Sequence, residues 1–385
     1  MNNEKDLISW IQSTQEGAIE LLEQLVSINT YTTNVAGVNK AQDVIANFLL
    51  SLGMQVQRVP VAARGDVLIA NTPAAGEKSI VLVGHTDTVH PPDSPFQNFS
   101  RTKDRAFGPG VLDMKGGLVT FLWSLRALAE HKLLAAIPVS VFINSDEEIG
   151  CPDSHRLIEE AGRKSRAALV FEWGRTADGI ILRRKGVGQF SISVRGKASH
   201  AGNAHREGAN AILQLAHTIT RLSTLTDYSR GVTVNVGLVQ GGSASNTVPE
   251  LASAALDLRV EKAEDFKRLS TAIMEIAADI VVPGTSVQIK ADSFMPPMAD
   301  SPESLALFES FRKFAAPAGL SYDQIPGILG GGSDANRTAY QGCPSIDGLG
   351  PFGEGAHSDK EYILLDSLPK KMINVALWLN AQREN

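Results

Sequence analysis

Three β-rich runs in the first half of the chain each end on a group that can hold a metal ion or a proton. The run at 80–83 closes on Gly84-His85-Thr86-Asp87, that at 137–143 on Asn144-Ser145-Asp146-Glu147-Glu148, and that at 167–171 on Glu172. Helical patterns lie between them, at 116–134 and near 154–161. Strands alternating with helices build α/β layers, and open sheets of this class bind ligands beyond the C-terminal ends of their strands. The predicted fold class is therefore α/β.

The flanking sequence sets the domain plan. Before residue 55, Leu7, Trp10 and Ile11, then Ile19, Leu22 and Leu25, then Val44, Ile45, Phe48 and Leu49 recur at helical spacing. A short apolar run follows at 66–70. After residue 182 the pattern changes. A strand at 188–194 precedes a helix carrying Ala209, Ile212, Leu213, Ala216 and Ile219 at helical spacing. Strands at 232–239 and 251–260, a helix at 264–280 and a strand at 286–291 complete the order β-α-β-β-α-β, the split ferredoxin-like arrangement. Pro296-Pro297 marks the exit. Residues 183–295 thus read as a domain inserted into a discontinuous one, 1–182 and 296–385. A chain of 385 residues fits two domains, because a single core stops growing near roughly 250–300.

Composition narrows the function classes. Lys plus Arg number 36 against 42 for Asp plus Glu, a formal charge of −6, which makes no electrostatic case for nucleic acid or an anionic membrane. Two cysteines, Cys151 and Cys343, make no disulfide framework and suit a reducing compartment. The N-terminal residues have no apolar signal-peptide core, and no apolar stretch is long enough for a bilayer. A soluble, cytoplasmic protein is expected.

His85, Asp113, Glu147-Glu148 and Glu172 are joined by His357 in Gly353-Glu354-Gly355-Ala356-His357-Ser358-Asp359. Imidazole plus carboxylate is a ligand set for zinc or a similar divalent ion. Two histidines and several carboxylates suffice for two ions if one carboxylate bridges them, at the ~3.5–4 Å separation of two-metal sites. A carboxylate off the metal would then deprotonate water. Taken singly, each residue also has a plainer reading. His85 could be a structural strand-end histidine, Asp113 a cap for the following helix, and Glu147-Glu148 a solvated helix start. Gly348-Leu349-Gly350-Pro351-Phe352-Gly353 matches a dinucleotide fingerprint in letters only, since proline interrupts it and no apolar helix follows. The absence of Gly-x-Ser-x-Gly argues against a serine hydrolase. Cys151 reads as a small buried thiol. His90, His131, His155, His205 and His217 read as surface or local structure.

Several segments resemble the signatures of a two-zinc exopeptidase and deacylase family. They are Gly84-His85-Thr86-Asp87-Thr88-Val89, Gly110-Val111-Leu112-Asp113-Met114-Lys115-Gly116-Gly117 and Ser145-Asp146-Glu147-Glu148-Ile149-Gly150. The likeness continues through Phe171-Glu172, Gly196-Lys197-Ala198-Ser199-His200-Ala201-Gly202 and Gly330-Gly331-Gly332-Ser333-Asp334-Ala335 to His357-Ser358. That family includes glutamate carboxypeptidase, aminoacylase, acetylornithine deacetylase and succinyl-diaminopimelate desuccinylase. The glycine-rich segment is most similar to the glutamate carboxypeptidase branch.

The resemblance implies a discontinuous zinc-hydrolase domain, a mixed sheet flanked by helices, with an inserted ferredoxin-like α+β lid and dimerisation domain. His85, Asp113 and Glu172 would hold one zinc; Glu148, His357 and the same Asp113 the other, with cobalt or manganese as possible substitutes. Asp87 would hydrogen-bond the His85 imidazole, and Glu147 would be the general base for a zinc-activated water. The resemblance also implies a cis peptide bond after Asp113. His200 would reach the partner subunit's active site in a homodimer and stabilise the oxyanion. Asn246, Arg259 and Gly331 would hold the substrate carboxylate, the arginine fork bonding both oxygens; a salt bridge with a neighbour is the other reading of Arg259. The implied activity is hydrolysis of an amide next to a free carboxylate, releasing a C-terminal amino acid from a small peptide or N-acyl amino acid. Deacetylation or desuccinylation in amino-acid biosynthesis is the alternative, and a silent peptide-binding relative is disfavoured by the presence of Glu147 and every implied ligand. One departure stands out. Glutamate-releasing relatives place a basic residue before the proline at the domain exit, where this chain has Ser293-Phe294-Met295-Pro296-Pro297-Met298. These apolar side chains favour a less acidic C-terminal residue.

Overall fold

Every residue of strand Ser79–His85 is buried, and between the polar Ser79 and the terminal histidine its sequence is apolar on both faces. It lies inside a six-stranded sheet with parallel neighbours on either side, Val139–Asn144 and Ser165–Val170. Parallel strands covered on both faces read as continuous hydrophobic runs. Val67–Asn71 pairs antiparallel with Val139–Asn144, and Gln55–Val59 pairs antiparallel with Val67–Asn71 as the edge. The short strand Ser345–Ile346 adds in parallel to Ser165–Val170 at the other edge. The sheet is therefore mixed.

The computed structural model describes residues 2–174, 179–322 and 327–383. Two compact units divide the chain: Met1–Arg183 with Asp300–Gly327 and Ser333–Asn385, and Arg184–Ala299 with Ile328–Gly332. In the first, helices Asn2–Ser13, Gln15–Val26, Gly116–Glu130 and Ser367–Asn380 share one apolar core with the sheet. Helix Gly116–Glu130 is buried without a break from Gly116 to Leu125. A Cβ at Gly117 would collide with the Phe171 carbonyl oxygen. Only glycine lets this helix start so close to the end of strand Ser165–Val170, and that closeness brings the segment before the helix alongside the strand end.

The second unit has its own core, built from Phe190, Ile192, Leu215, Leu256, Leu269 and neighbouring apolar residues. Its chain order is strand Gly186–Arg195, helix Ala211–Ser223, strands Thr233–Gly241 and Leu251–Val260, helix Ala263–Ala277 and strand Ser286–Met295. The fourth, first, third and second of these strands lie side by side, all antiparallel. One expectation needs correction. Helix Ala211–Ser223 buries Ala211, Gln214, Leu215, Thr218 and Leu222, whereas Ile212 and Leu213 are 42% and 49% exposed. The polar Gln214 and Thr218 belong to the buried stripe because Gln214 bonds the backbone at Asp279, Val281 and Val282. That hydrogen bonding shifts the inward face by one residue from the apolar reading.

Candidate metal centre

His85 is the last residue of strand Ser79–His85, and Glu172 lies two residues past the end of Ser165–Val170. Asp113 sits in the turn Val111–Lys115, whose Asp113–Met114 peptide bond is cis. Glu147 and Glu148 open the turn that follows strand Val139–Asn144. His357 lies in a C-terminal loop with a left-handed backbone, φ 65°. That conformation is uncommon outside glycine, although histidine, like asparagine and aspartate, adopts it several-fold more often than other residues.

These residues converge on Asp113. Its Oδ1 is 3.4 Å from His85 Nε2 and its Oδ2 is 3.2 Å from His357 Nε2. Glu172 Oε1 lies 3.4 Å from His85 Nε2, and Glu148 Oε2 lies 3.2 Å from His357 Nε2. Two donor groups result, His85–Asp113–Glu172 and Asp113–Glu148–His357, each with its ligand atoms within 4.8 Å of one another. Glu147 Oε2 stands 4.0 Å from His85 Nε2 and belongs to neither group.

The site's electrostatics follow from crowding acids in a buried space. Burial opposes charge on His85, but Asp113, Asp87 and Glu172 outweigh it and raise its pKa well above the ordinary histidine range. Burial likewise opposes ionisation of Asp113, and the two histidines overcome it and hold the acid well below the usual carboxylate range. Burial and the Asp113 charge push Glu148 up to about 8 and Glu172 up to about 7. Burial raises Glu147 well above its ordinary value, with Glu172, Asp334 and Glu148 adding to the rise against the opposing pull of His85. Hydrogen bonds to Asp113 and Glu148 lift His357 to about 11.

This donor set fits a pair of divalent cations. His85 Nε2 and Glu148 Oε1 are buried without a hydrogen-bond partner, a costly state unless an electrophile takes them. Nitrogen and carboxylate oxygen donors around a shared acid suit zinc-like ions.

A layer of hydrogen bonds fixes these groups. His85 Nδ1 donates to the backbone carbonyl of Asp87 at 3.0 Å, while the Asp87 carboxylate lies 3.4 Å away. That carboxylate, fully buried, instead accepts the amides of Glu147 and Glu148, each at 3.2 Å, and the Thr32 hydroxyl at 2.9 Å. Sequence reasoning missed Glu361. Its buried carboxylate accepts the amides of Gly110, Leu112 and Asp113 at 3.0, 2.8 and 2.9 Å, and His90 Nε2 donates to it at 3.0 Å. Glu361 thereby ties the Asp113 turn to the segment after His357, and His90 belongs to local structure. Its one sequence signal was an acid following His357 by four residues. Replacing Glu361 with alanine orphans three buried amides, each worth about 1–3 kcal/mol. Glu361→Ala should therefore melt at lower temperature and retain less metal; differential scanning fluorimetry and elemental analysis check both.

Cys151 is buried, with its Sγ donating to Asp334 at 3.2 Å and accepting from Asn144 at 3.1 Å. Burial, with the Asp334 charge, pushes its thiol pKa well up. It stands in neither donor group. Asp113 caps no helix with its side chain; the residue preceding Gly116–Glu130 is Lys115.

The remaining candidates lie in the second unit. His200 sits on a two-residue strand paired with Thr247–Val248, and the backbone carbonyl of Asn246 accepts from Ala201. The amides of Gly202 and Asn203 donate to His200 Nδ1 at 3.1 and 3.0 Å, so the ring proton belongs on Nε2, which is left to donate outward. Arg259 forms a two-pronged salt bridge with Asp257, and its Nη1 donates to the Gly330 carbonyl at 3.1 Å. Gly331 is exposed, and a Cβ there would meet open space.

Comparison with known proteins agrees with the fold. Residues 81–379 match the model of peptidase family M20/M25/M40. Carboxypeptidase G2 of Pseudomonas sp. (strain RS-16) is 30% identical over 376 residues, 94% of this chain and 88% of that protein. Acetylornithine deacetylase of Myxococcus xanthus is 27% identical over 325 residues, 78% of this chain and 80% of its own. The crystal structure of aminopeptidase PepT from Bacillus cereus ATCC 10987 superposes with a TM-score of 0.76 at 22% identity, covering 95% of this chain and 99% of that one. With most of its length inside the family model, this chain belongs to peptidase family M20/M25/M40.

Proposed function

We propose that the protein is a metal-dependent hydrolase that cleaves an amide bond next to a free carboxylate and releases a C-terminal amino acid from a small peptide or N-acyl amino acid. The observation that carries this reading is Asp113, with one oxygen turned to each of two imidazole-carboxylate groups. His85, Asp113 and Glu172, and Asp113, Glu148 and His357, would hold a pair of zinc-like ions, which would supply Lewis-acid polarisation of the carbonyl and lower the pKa of water. Glu147, half-buried and outside both donor groups, takes the proton from the attacking water and passes it to the leaving amine. Asp87 holds the backbone of both glutamates. His200 Nε2–H donates to the oxyanion, and Asn246, Arg259 and Gly331 receive the substrate carboxylate. The apolar side chains of Phe294, Met295 and Met298, where a basic residue would suit glutamate, favour a less acidic C-terminal residue.

Likeness to an acetylornithine deacetylase supports a second reading, removal of a small acyl group from an amino acid. Kinetics on N-acyl amino acids and dipeptides with neutral or acidic C-terminal residues separate the two, and no hydrolysis of any member would reject both. Protein purified without chelators should carry about two ions per chain, and chelation should abolish turnover. His85→Ala and His357→Ala should each lower the metal content by about one equivalent; unchanged content in both would refute the ligand assignment.

A homodimer through the second unit belongs to the same proposal. Strand Thr233–Gly241 forms an open edge of its sheet, with Leu238 and Val239 exposed at 68% and 57%, and Ile212 and Leu251 are exposed in the same unit. Open apolar edges of this kind invite pairing with another chain. Leu238→Lys should shift the protein toward monomer in light scattering.

A further inference from the structure

We propose that Asp257 is a positioning residue that sets which edge of the Arg259 guanidinium meets the substrate carboxylate. This rests on the functional reading above. Strand Leu251–Val260 buries Ala252, Ala254, Leu256, Leu258 and Val260, and its alternation turns residues 257 and 259 together to the opposite face. There Asp257 Oδ1 accepts from Arg259 Nε and Asp257 Oδ2 from Arg259 Nη2, both at 2.8 Å. The Gly330 carbonyl accepts from Nη1 at 3.1 Å. A guanidinium has five N–H groups, so these bonds leave one on each terminal nitrogen. Two donors on neighbouring nitrogens match the two oxygens of a carboxylate.

The pair contributes little to the fold. The side chains of Arg259 and Asp257 are 30% and 34% exposed, a setting where an ion pair adds almost nothing to stability. Across the sheet Asp257 faces Asn235 and Gln189, neither of them charged, so no neighbouring cation competes for it there. What the two-pronged contact does supply is rotation: it holds a long, flexible side chain in one plane before the ligand arrives. Preorganisation of that kind removes an ordering cost from binding. Asp257 also repels a carboxylate through its own charge, so its removal has two opposing effects, of which loss of alignment is the larger.

The test compares wild type with Asp257→Ala and the isosteric Asp257→Asn, using the best substrate of the N-acyl amino acid and dipeptide panel and its C-terminal carboxamide. Both variants should raise KM for the carboxylate substrate about 3- to 10-fold, the range for ordering one flexible side chain, with kcat held within about twofold. The carboxamide constants should not move, and Asp257→Glu should recover part of the loss. In an Arg259→Ala background, where KM is already high, Asp257→Ala should add nothing. A lower KM, an equal loss on both substrates, or additive effects in the double variant would overturn the inference. If Arg259→Ala raises KM and neither Asp257 variant does, the inference alone fails. If Arg259→Ala leaves KM unchanged, the carboxylate reading of Arg259 fails first and takes the Asp257 role with it.

Discussion

Glu147→Gln should slow turnover by about 10²- to 10⁴-fold, the usual contribution of a positioned proton acceptor, while the protein keeps its full complement of metal. The amide preserves size and packing but cannot take a proton. Glu147 stands outside both donor groups, with its nearer oxygen 4.0 Å from His85 Nε2. Its backbone is anchored by Asp87 at 3.2 Å whichever side chain it carries. Glu148→Gln is the contrast. It removes charge from the group that includes His357 and should cost metal first and activity in consequence. Single-turnover kinetics beside elemental analysis distinguish the two. Full activity in Glu147→Gln would discard it as the base, and exchanged phenotypes would mean that the adjacent glutamates have the opposite roles.

His200→Ala should lose about 10²- to 10³-fold in kcat, as expected for one oxyanion donor, yet fold and load metal normally. With Nδ1 committed to two backbone amides, His200 offers one fixed donor, Nε2–H, and alanine leaves nothing in its place. If the donor serves the partner subunit, co-expression with Glu147→Gln restores activity. In the mixed dimer the site with an intact Glu147 receives an intact His200 from the other chain, and one site of the pair works. Purified mixed dimers should therefore recover at most about half of wild-type activity. A mixed dimer as inactive as its parents would place His200 in its own chain's chemistry or in none.

How far the sequence could be read depended on where each residue's partner lies. Strand Ser79–His85 was legible because both faces are buried and its interior, residues 80–83, is a continuous apolar run. Gln55–Val59 escaped notice because it is an edge strand with no buried residue, whose Val56 and Val59 form no run. In helix Ala211–Ser223 apolar spacing pointed to Ile212 and Leu213, whereas Gln214 turns inward to satisfy a distant backbone. The candidate site shows the same division. Strand ends flagged His85, Glu147, Glu148 and Glu172, and likeness to a family supplied the roles. The contacts of Glu361 run through backbone amides some 250 residues earlier, at Gly110, Leu112 and Asp113. Backbone amides leave no mark on residue identity, so that link could be seen only in three dimensions. Asp87 hid its main contacts for the same reason: its carboxylate serves the Glu147 and Glu148 amides, while its carbonyl serves the imidazole.

The sharing of Asp113 between two donor groups has a consequence in net charge. The groups together contain three carboxylates, Asp113, Glu148 and Glu172, because one acid is counted in both. Two divalent ions held there would exceed those three carboxylates by one positive charge, whereas two separate acids in place of Asp113 would bring the donor groups to neutrality. In the proposed reaction that surplus would be balanced first by the Glu147 carboxylate beside the groups and, once Glu147 has taken the proton from the attacking water, by the oxyanion of the substrate. An uncharged amide would enter without changing that balance, and the negative charge moved from Glu147 to the substrate oxygen during attack would then meet the positive centre, an attraction stronger for the transition state than for the substrate.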